Sequence, residues 1–486
     1  MRRSRCAARC HEHHGCSRRE FLGAAAASLA SASLLRDGFG AEASASGQKG
    51  PAAKCTPAVR ACFVRRKGDY GMRWPGAVYD GEAALKKYAE QTTATAKELN
   101  LKLDLRPEPL YSPQEADAWL AQAVEAKPDG LLVVLLDRQQ HAWPTAAKAV
   151  DTKIPTVVFS PVGTSFTTNT AGVSKKTGCF ICSTDDFGQV RYGLKMLAAG
   201  AKMRATRCLV IHGAKTAESD MGDLGIQLKH IPAQTFLDEY NKTPDSEAIV
   251  AMAEDYIQRA RRQAGATKQD VVNGVKSYTV ARTLLEREGA DAITMDCLGA
   301  LGRSKLSLPC IAWSRMNDEG IPAACEADLG AVATHVLVQY LFDRPGFQQD
   351  PVAETAREAI IGAHCTCATK LNGFDKPPEP FDLVHHHGVR DATTRTLWKV
   401  GQRVTCADVL PAGKGGRSKI LISAGEVLDN VSVPPAGGCV VSVMARFDKV
   451  TDVLAFPGFH QIFFYGDFKR ELVQFCRLFN FEPVVV

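Results

Sequence analysis

Gly320-Ile321-Pro322-Ala323-Ala324-Cys325-Glu326-Ala327-Asp328 sets two carboxylates two residues apart, directly after a run of small and apolar residues. A helical pattern follows through Val332, Val336, Leu337, Tyr340 and Leu341. Carboxylates at a loop-to-helix junction are placed to bind a metal ion or a polyol. The same acids also suit a plainer task, because Asp is a favoured helix cap and acids suit the first turn. A second polar cluster is Gly458-Phe459-His460-Gln461-Ile462-Phe463-Phe464-Tyr465-Gly466-Asp467. His460 opens a strand pattern that ends in Tyr-Gly-Asp, and a buried, satisfied histidine is its ordinary alternative.

Other reactive residue types read as structural. In His385-His386-His387, alternate strand residues face opposite sides, so at most two of the three share a face. Part of that run, His386 in particular, is a candidate for contacting sugar hydroxyls. His364, Cys365 and Cys367 have no companion pair at zinc-finger spacing, and packing is expected of them. Cys179-Phe180-Ile181-Cys182 lacks a partner pair and precedes Ser183-Thr184-Asp185-Asp186, which reads as a helix cap. Gly413-Lys414-Gly415-Gly416-Arg417-Ser418 does not match the phosphate-loop pattern and reads as a hairpin turn.

These residues need a scaffold. The chain has 486 residues, enough for several domains. Gly130–Leu136 and Ile154–Ser160 are continuous apolar runs of the kind that form buried parallel strands. They alternate with helical patterns at 81–98 and Ser112–Ala126, and with strand patterns at Ala61–Val64 and Leu101–Leu105. A second α/β unit follows, with strands Arg207–His212 and Ala292–Asp296 and helices at 186–199, 246–264, 269–287 and after Asp328. Past Pro345, short β runs alternate with turn clusters. The expected fold is α/β: two Rossmann-like parallel-sheet domains at 57–175 and 176–345, then a mainly β domain at 346–486. Residues 46–56 read as a linker.

Ser17-Arg18-Arg19-Glu20-Phe21-Leu22 resembles a twin-arginine export signal. An Ala-rich stretch and small-residue cleavage sites near Ala43 and Ala45 complete a signal over 1–45. The twin-arginine translocase is the implied partner, and the periplasm or extracellular space the implied destination. No segment reads as a stable membrane span. The first 45 residues hold seven Arg and four acids, and the rest is near balance at 52 basic against 49 acidic residues. That balance gives no electrostatic case for nucleic acid. Thirteen of the 16 cysteines lie after the signal. An odd, scattered set is not a disulfide framework.

Three stretches resemble the L-fucose and L-arabinose isomerase superfamily, in its fucose-isomerase-like branch. They are Cys325-Glu326-Ala327-Asp328 with its helix and Pro345–Asp350; Ala363–Thr366 leading to His385–Gly388 and Val404-Thr405; and His460 with Tyr465-Gly466-Asp467. Trp74-Pro75-Gly76 and Asp129-Gly130-Leu131 are also similar. The resemblance implies a divalent cation, usually Mn²⁺, held by two carboxylates and a histidine. It implies aldose–ketose isomerisation of a small sugar through an enediol, and possible homo-oligomers whose sites form where subunits meet. Carried onto this chain, the metal set is Asp328, His460 and Glu326, with Glu326 and Asp328 as catalytic acids. His386, Tyr465 and Asp467 are the expected sugar contacts. The family's upstream Glu has no counterpart in Leu298–Trp313, which holds no acid. Asp296 is the nearest candidate to replace it. An exported, non-catalytic carbohydrate-binding protein on this scaffold is the alternative. A periplasmic solute receptor is a third reading, which the β-rich C-terminal region opposes.

Overall fold

A computed structural model describes residues 49–486, apart from 69, 74–77, 139–140, 303, 305, 387–389, 414 and 433–438. The segment expected to be an export signal, Trp74-Pro75-Gly76, His387 and Lys414 therefore lie outside the described residues. Residues Ser46–Val486 form one compact unit.

The first sheet contains β1 (Ala58–Val64), β2 (Lys102–Leu105), β3 (Gly130–Leu135), β4 (Thr156–Ser160) and β5 (Cys179–Ser183). Its order is β2-β1-β3-β4-β5, all parallel. This is the doubly wound arrangement that apolar strands alternating with amphipathic helices dictate. Leu131 through Leu135 are wholly buried, each worth about 1.5–3 kcal/mol over leaving it in water. Helix α1 (Gly81–Glu98) is capped by Asp80, and α2 (Pro113–Ala126) by Ser112 with Pro at its first position.

The strand β5 differs from the expected division at residue 176, because it hydrogen-bonds to β4 in the first sheet. Cys179 faces one core layer and Cys182 the other. Residues three apart in a strand point to opposite faces, so this Cys-x-x-Cys cannot act as a redox pair. Helix α3 (Gly188–Ala205) then leads to the second sheet.

The second sheet holds β6 (Arg207–Ile211), β7 (Ala217–Asp220), β8 (Gln227–Ile231), β9 (Ala292–Met295) and β10 (Ala323–Cys325). The order is β10-β9-β6-β8-β7, parallel except at the β7 edge. Helix α4 (Lys268–Glu288) crosses over to β9, and α5 (Leu329–Phe342) leaves β10. Linker-like residues 46–56 are docked from Gly50 on. The carboxylate of buried Asp291 accepts the N–H groups of Ala52, Ala53 and Arg207.

Beyond α5 come β11 (Phe347–Glu354), β12 (Ala359–His364), β13 (Phe381–His386), β14 (Arg390–Thr396), β15 (Arg403–Leu410), β16 (Lys419–Asn430), β17 (Val441–Phe447), β18 (Gln461–Tyr465) and β19 (Glu482–Val485). Six of these close on themselves in the order β15-β18-β11-β12-β17-β16, with β16 pairing back to β15. The result is an antiparallel barrel, which removes the open sheet edges. The β15–β16 pair closes at Leu410↔Lys419, so the Gly413 segment is a hairpin connection. Helix α6 (Lys469–Phe479) follows β18 and packs Leu472, Phe475 and Cys476 into the core.

Candidate functional site

The parallel strands β9 and β10 pair Met295 with Cys325. Asp296 and Glu326 therefore both stand just past the carboxyl ends of neighbouring strands, where open α/β sheets carry sites. Barrel strands converge on the same place. Asp350 on β11 is paired with Ala363, next to His364 at the end of β12. Gln349 is paired with Gln461, which puts His460 beside Asp350.

Three ligand atoms, one each from Glu326, His364 and His460, lie within 4.8 Å of one another. Glu326 reaches His460 Nε2 at 3.5 Å and His364 Nε2 at 3.7 Å through its two oxygens. Asp350 Oδ1 is 3.3 Å from His460 Nε2. On the other side of the ring, His460 Nδ1 meets Asp328 Oδ2 at 3.0 Å. The His364 and His460 rings cross edge to face at 5.6 Å. Both histidines are buried and the three acids are partly open.

The backbone is bent to make this arrangement. Glu326, Ala327 and His460 have φ of 63°, 53° and 55°, the left-handed region that non-glycine residues seldom adopt. Such strain costs about 1–3 kcal/mol per residue and concentrates at functional sites. The surroundings hold it in place. Gln348 brackets Cys325, accepting its N–H at 2.8 Å and donating to its carbonyl at 3.5 Å. Asp408 on β15 is buried and stands close against Gly458 in the loop that presents His460. Phe459 itself is 62% exposed, with its ring 4.5 Å from the imidazole.

Charges in the cluster are strongly coupled. Burial acts to lower the pKa of His460, but the hydrogen bonds it donates to Asp328 and Glu326 and the nearby carboxylate charges outweigh it, raising it to about 10. Glu326 is lowered, first by its bond to His460. Asp328 is also lowered, because His460 and the Ala331 N–H overcome its burial. Asp350 moves the opposite way. Burial raises it, and the Glu326 charge adds to that against the pull of His460. Asp408 is raised to about 7 by burial and by the Asp328 charge. Behind His364, fully buried His335 is driven down to about 3 by burial and by repulsion from His364.

Of the residues expected from the sequence, Glu326, Asp328 and His460 come together. Asp296 does not join the three-residue group. Its carboxylate caps a short helix by accepting the Gly299 N–H at 2.9 Å, and lies 3.9 Å from His212. Tyr465 and Asp467 lie at the far end of β18 from His460. Tyr465 is buried, with its hydroxyl accepting the Lys399 N–H and its ring against Trp398. Asp467 is ion-paired with Arg403 at 2.7 Å. His386 is buried at the end of β13.

The sequence alone does not single out His364 and Asp350. His364 reads locally as core beside cysteines, and Asp350 as one acid in a strand. The available signal was Pro345–Asp350 and Ala363–Thr366 standing in the same motif set as Glu326 and His460.

No family model matches the chain. It is distantly related to sulfoquinovose isomerase, a sugar isomerase. The protein of that name from Clostridium sp. (strain MSTE9) is 26% identical over 223 residues, 43% of this chain and 47% of that one. The one from Priestia aryabhattai is 22% identical over 278 residues, 54% of this chain and 58% of that one. The match thus spans about half the length of these curated relatives. Among solved structures, a Burkholderia multivorans ABC-transporter solute-binding protein aligns at 10% identity and TM-score 0.19, over 50% of this chain and 80% of that one. A Bacillus halodurans sugar-binding protein aligns at 16% and 0.18, over 62% and 91%. Likeness at that level carries no argument. No helix among the described residues is long and apolar enough to cross a membrane.

Proposed function

We propose that the protein is a metal-dependent aldose–ketose sugar isomerase. The observation that carries this reading is the convergence of Glu326, His364 and His460 on one spot at the seam of the second sheet and the barrel. The distant relationship to a sugar isomerase supports it.

The donor set fits a divalent ion. Carboxylate and imidazole together suit Mn²⁺ and its neighbours. Asp350 Oδ1 is buried and faces His460 Nε2 at 3.3 Å without a hydrogen bond to it. Glu326, His364 and His460 would hold the ion. When bound, the ion supplies positive charge that polarises a carbonyl and stabilises negative charge developing on adjacent sugar oxygens. Asp328 holds the His460 ring by Nδ1, so that Nε2 faces Glu326 and Asp350. Asp350, with its raised pKa, moves the proton between neighbouring carbons at Oδ1, a contribution of about 10²–10⁴ in rate. Glu326 stays ionised. Two acids whose surroundings push their pKa values apart divide the work in this way.

The absence of acids in Leu298–Trp313 and the use of Asp296 as a cap favour a second reading, an exported carbohydrate-binding protein without turnover. One experiment separates the two. Purified protein is given Mn²⁺ and a panel of aldoses and ketoses that includes sulfoquinovose, alongside Glu326→Gln and His460→Ala. Turnover lost in both variants supports the isomerase. Metal and sugar binding without turnover sinks it and leaves the binder.

We also propose export by the twin-arginine route, on Ser17-Arg18-Arg19-Glu20-Phe21-Leu22.

A further inference from the structure

Five cysteines share one hydrophobic cluster next to the carboxylate–histidine site. Cys297, Cys310, Cys325 and Cys365 are buried in it, and Cys439 packs against it. Two of them adjoin site residues in the chain: Cys325 precedes Glu326, and Cys365 follows His364. They associate as pairs. The thiols of Cys365 and Cys439 act on each other, Cys365 being raised and Cys439 lowered first by the other's sulfur, and Cys325 and Cys297 do the same. Cys325 Sγ also contacts Thr366 Oγ1 at 3.6 Å. All of these thiols are free.

Pairing decides what the cluster can do. Among the described residues, the group offering three ligand atoms within 4.8 Å is Glu326, His364 and His460, and it contains no sulfur. The thiols therefore do not cradle a soft metal. They are arranged for dithiol chemistry. Access distinguishes the two pairs. Cys297 and Cys325 are both buried, whereas Cys439 is partly open to solvent with buried Cys365 behind it. An accessible thiol backed by a resolving thiol is the arrangement of redox-sensing cysteines. Geometry agrees. β12 and β17 pair His364 with Val441 at the end of an antiparallel ladder, and Cys365 and Cys439 continue those two strands just past that pair.

We infer that Cys365 and Cys439 form a reversible dithiol–disulfide site whose oxidation disables the adjacent Glu326–His364–His460 cluster. Its effect on metal rests on the functional reading above. A peroxide is the oxidant. The Cys439 sulfur attacks one peroxide oxygen, the O–O bond breaks, and a sulfenic acid and one water form. The Cys365 thiol then attacks that sulfur, the S–O bond breaks, and a second water leaves. Two thiols and one peroxide give one disulfide and two waters. The new bond pulls on the residue next to His364 and so displaces a ligand side chain.

The test uses the full chain, purified reduced and then treated with hydrogen peroxide at one equivalent. Peptide mapping after alkylation is expected to find Cys365 joined to Cys439, with two hydrogens lost and regained on adding dithiothreitol. Mn²⁺ titration is expected to show affinity falling about tenfold or more on oxidation, in line with the loss of a ligand's support. Cys439→Ser is expected to bind Mn²⁺ like the reduced protein and to ignore peroxide. A disulfide at Cys297–Cys325 instead, over-oxidation to sulfonic acids without a disulfide, or unchanged Mn²⁺ affinity in the oxidised protein would overturn the inference. If the reduced protein binds no Mn²⁺, the functional reading fails, and the dithiol site is then decided by the mapped disulfide alone.

Discussion

Asp328 serves two elements with one carboxylate. Its Oδ1 accepts the Ala331 N–H at 2.7 Å and caps α5, while its Oδ2 holds His460 Nδ1 at 3.0 Å. Capping and site-building, alternatives in the sequence, are here one structure. The helix fixes the acid, and the acid fixes the orientation of the imidazole.

Asp328→Asn keeps a capping oxygen but removes the charge that His460 faces. Stability should fall by about 1 kcal/mol or less through the cap, while Mn²⁺ affinity falls about 10–100-fold, as when a ligand's supporting carboxylate is lost. Calorimetric titration and thermal unfolding of the same variant separate the two. Equal affinity in variant and parent would remove Asp328 from the site.

Asp350→Asn tests the proton-transfer role. It should leave Mn²⁺ binding within a few fold of the parent and lower kcat by about 10²–10⁴. Loss of metal binding of the same size as the loss of rate would make Asp350 a ligand instead.

The metal-free protein should show a pH window set by the cluster. His460 is raised above its unfolded value, to about 10. Its stabilisation is therefore full below about pH 6.5 and lost as pH climbs through its folded value. Glu326 and Asp328 are lowered, so theirs is full above about pH 4 and lost as pH falls through their folded values. Asp350, being raised, opposes this and is relieved when it protonates. The Tm difference between the parent and His460→Gln should peak at about pH 4–6.5 and shrink on either side. Mn²⁺ affinity should rise with pH, since the ion must displace the proton on His460. A flat Tm difference from pH 4 to 10 would contradict the assignment.

The proposed export would rest on Arg18 and Arg19. Replacing both with Lys should leave the unprocessed chain in the cytoplasm, read by fractionation and immunoblot. Unchanged export would remove the twin-arginine route.

Much of the scaffold is legible locally. Continuous apolar runs such as Gly130–Leu136 can only be buried strands in this context, and the caps Asp80, Ser112 and Asp328 announce their helices. Cys179–Ser183 is not legible in this way. Five mixed residues carry no clear period, and only pairing with β4 assigns them to the first sheet.

The site divides in the same way. Residue type and local context were enough to nominate Glu326, Asp328 and His460, because acids at a strand-to-helix junction and a histidine opening a strand are visible in one dimension. Barrel closure decided the rest. The register Asp350↔Ala363 and Gln349↔Gln461 brings Asp350 and His364 to His460, although neither is near it in sequence. The direction of β18 carries Tyr465 and Asp467 away from His460, although both are close to it in sequence. A strand advances about 3.4 Å per residue, so sequence neighbours along it become spatial strangers. Hydrogen-bonded register, which no single segment encodes, chooses the residues that meet.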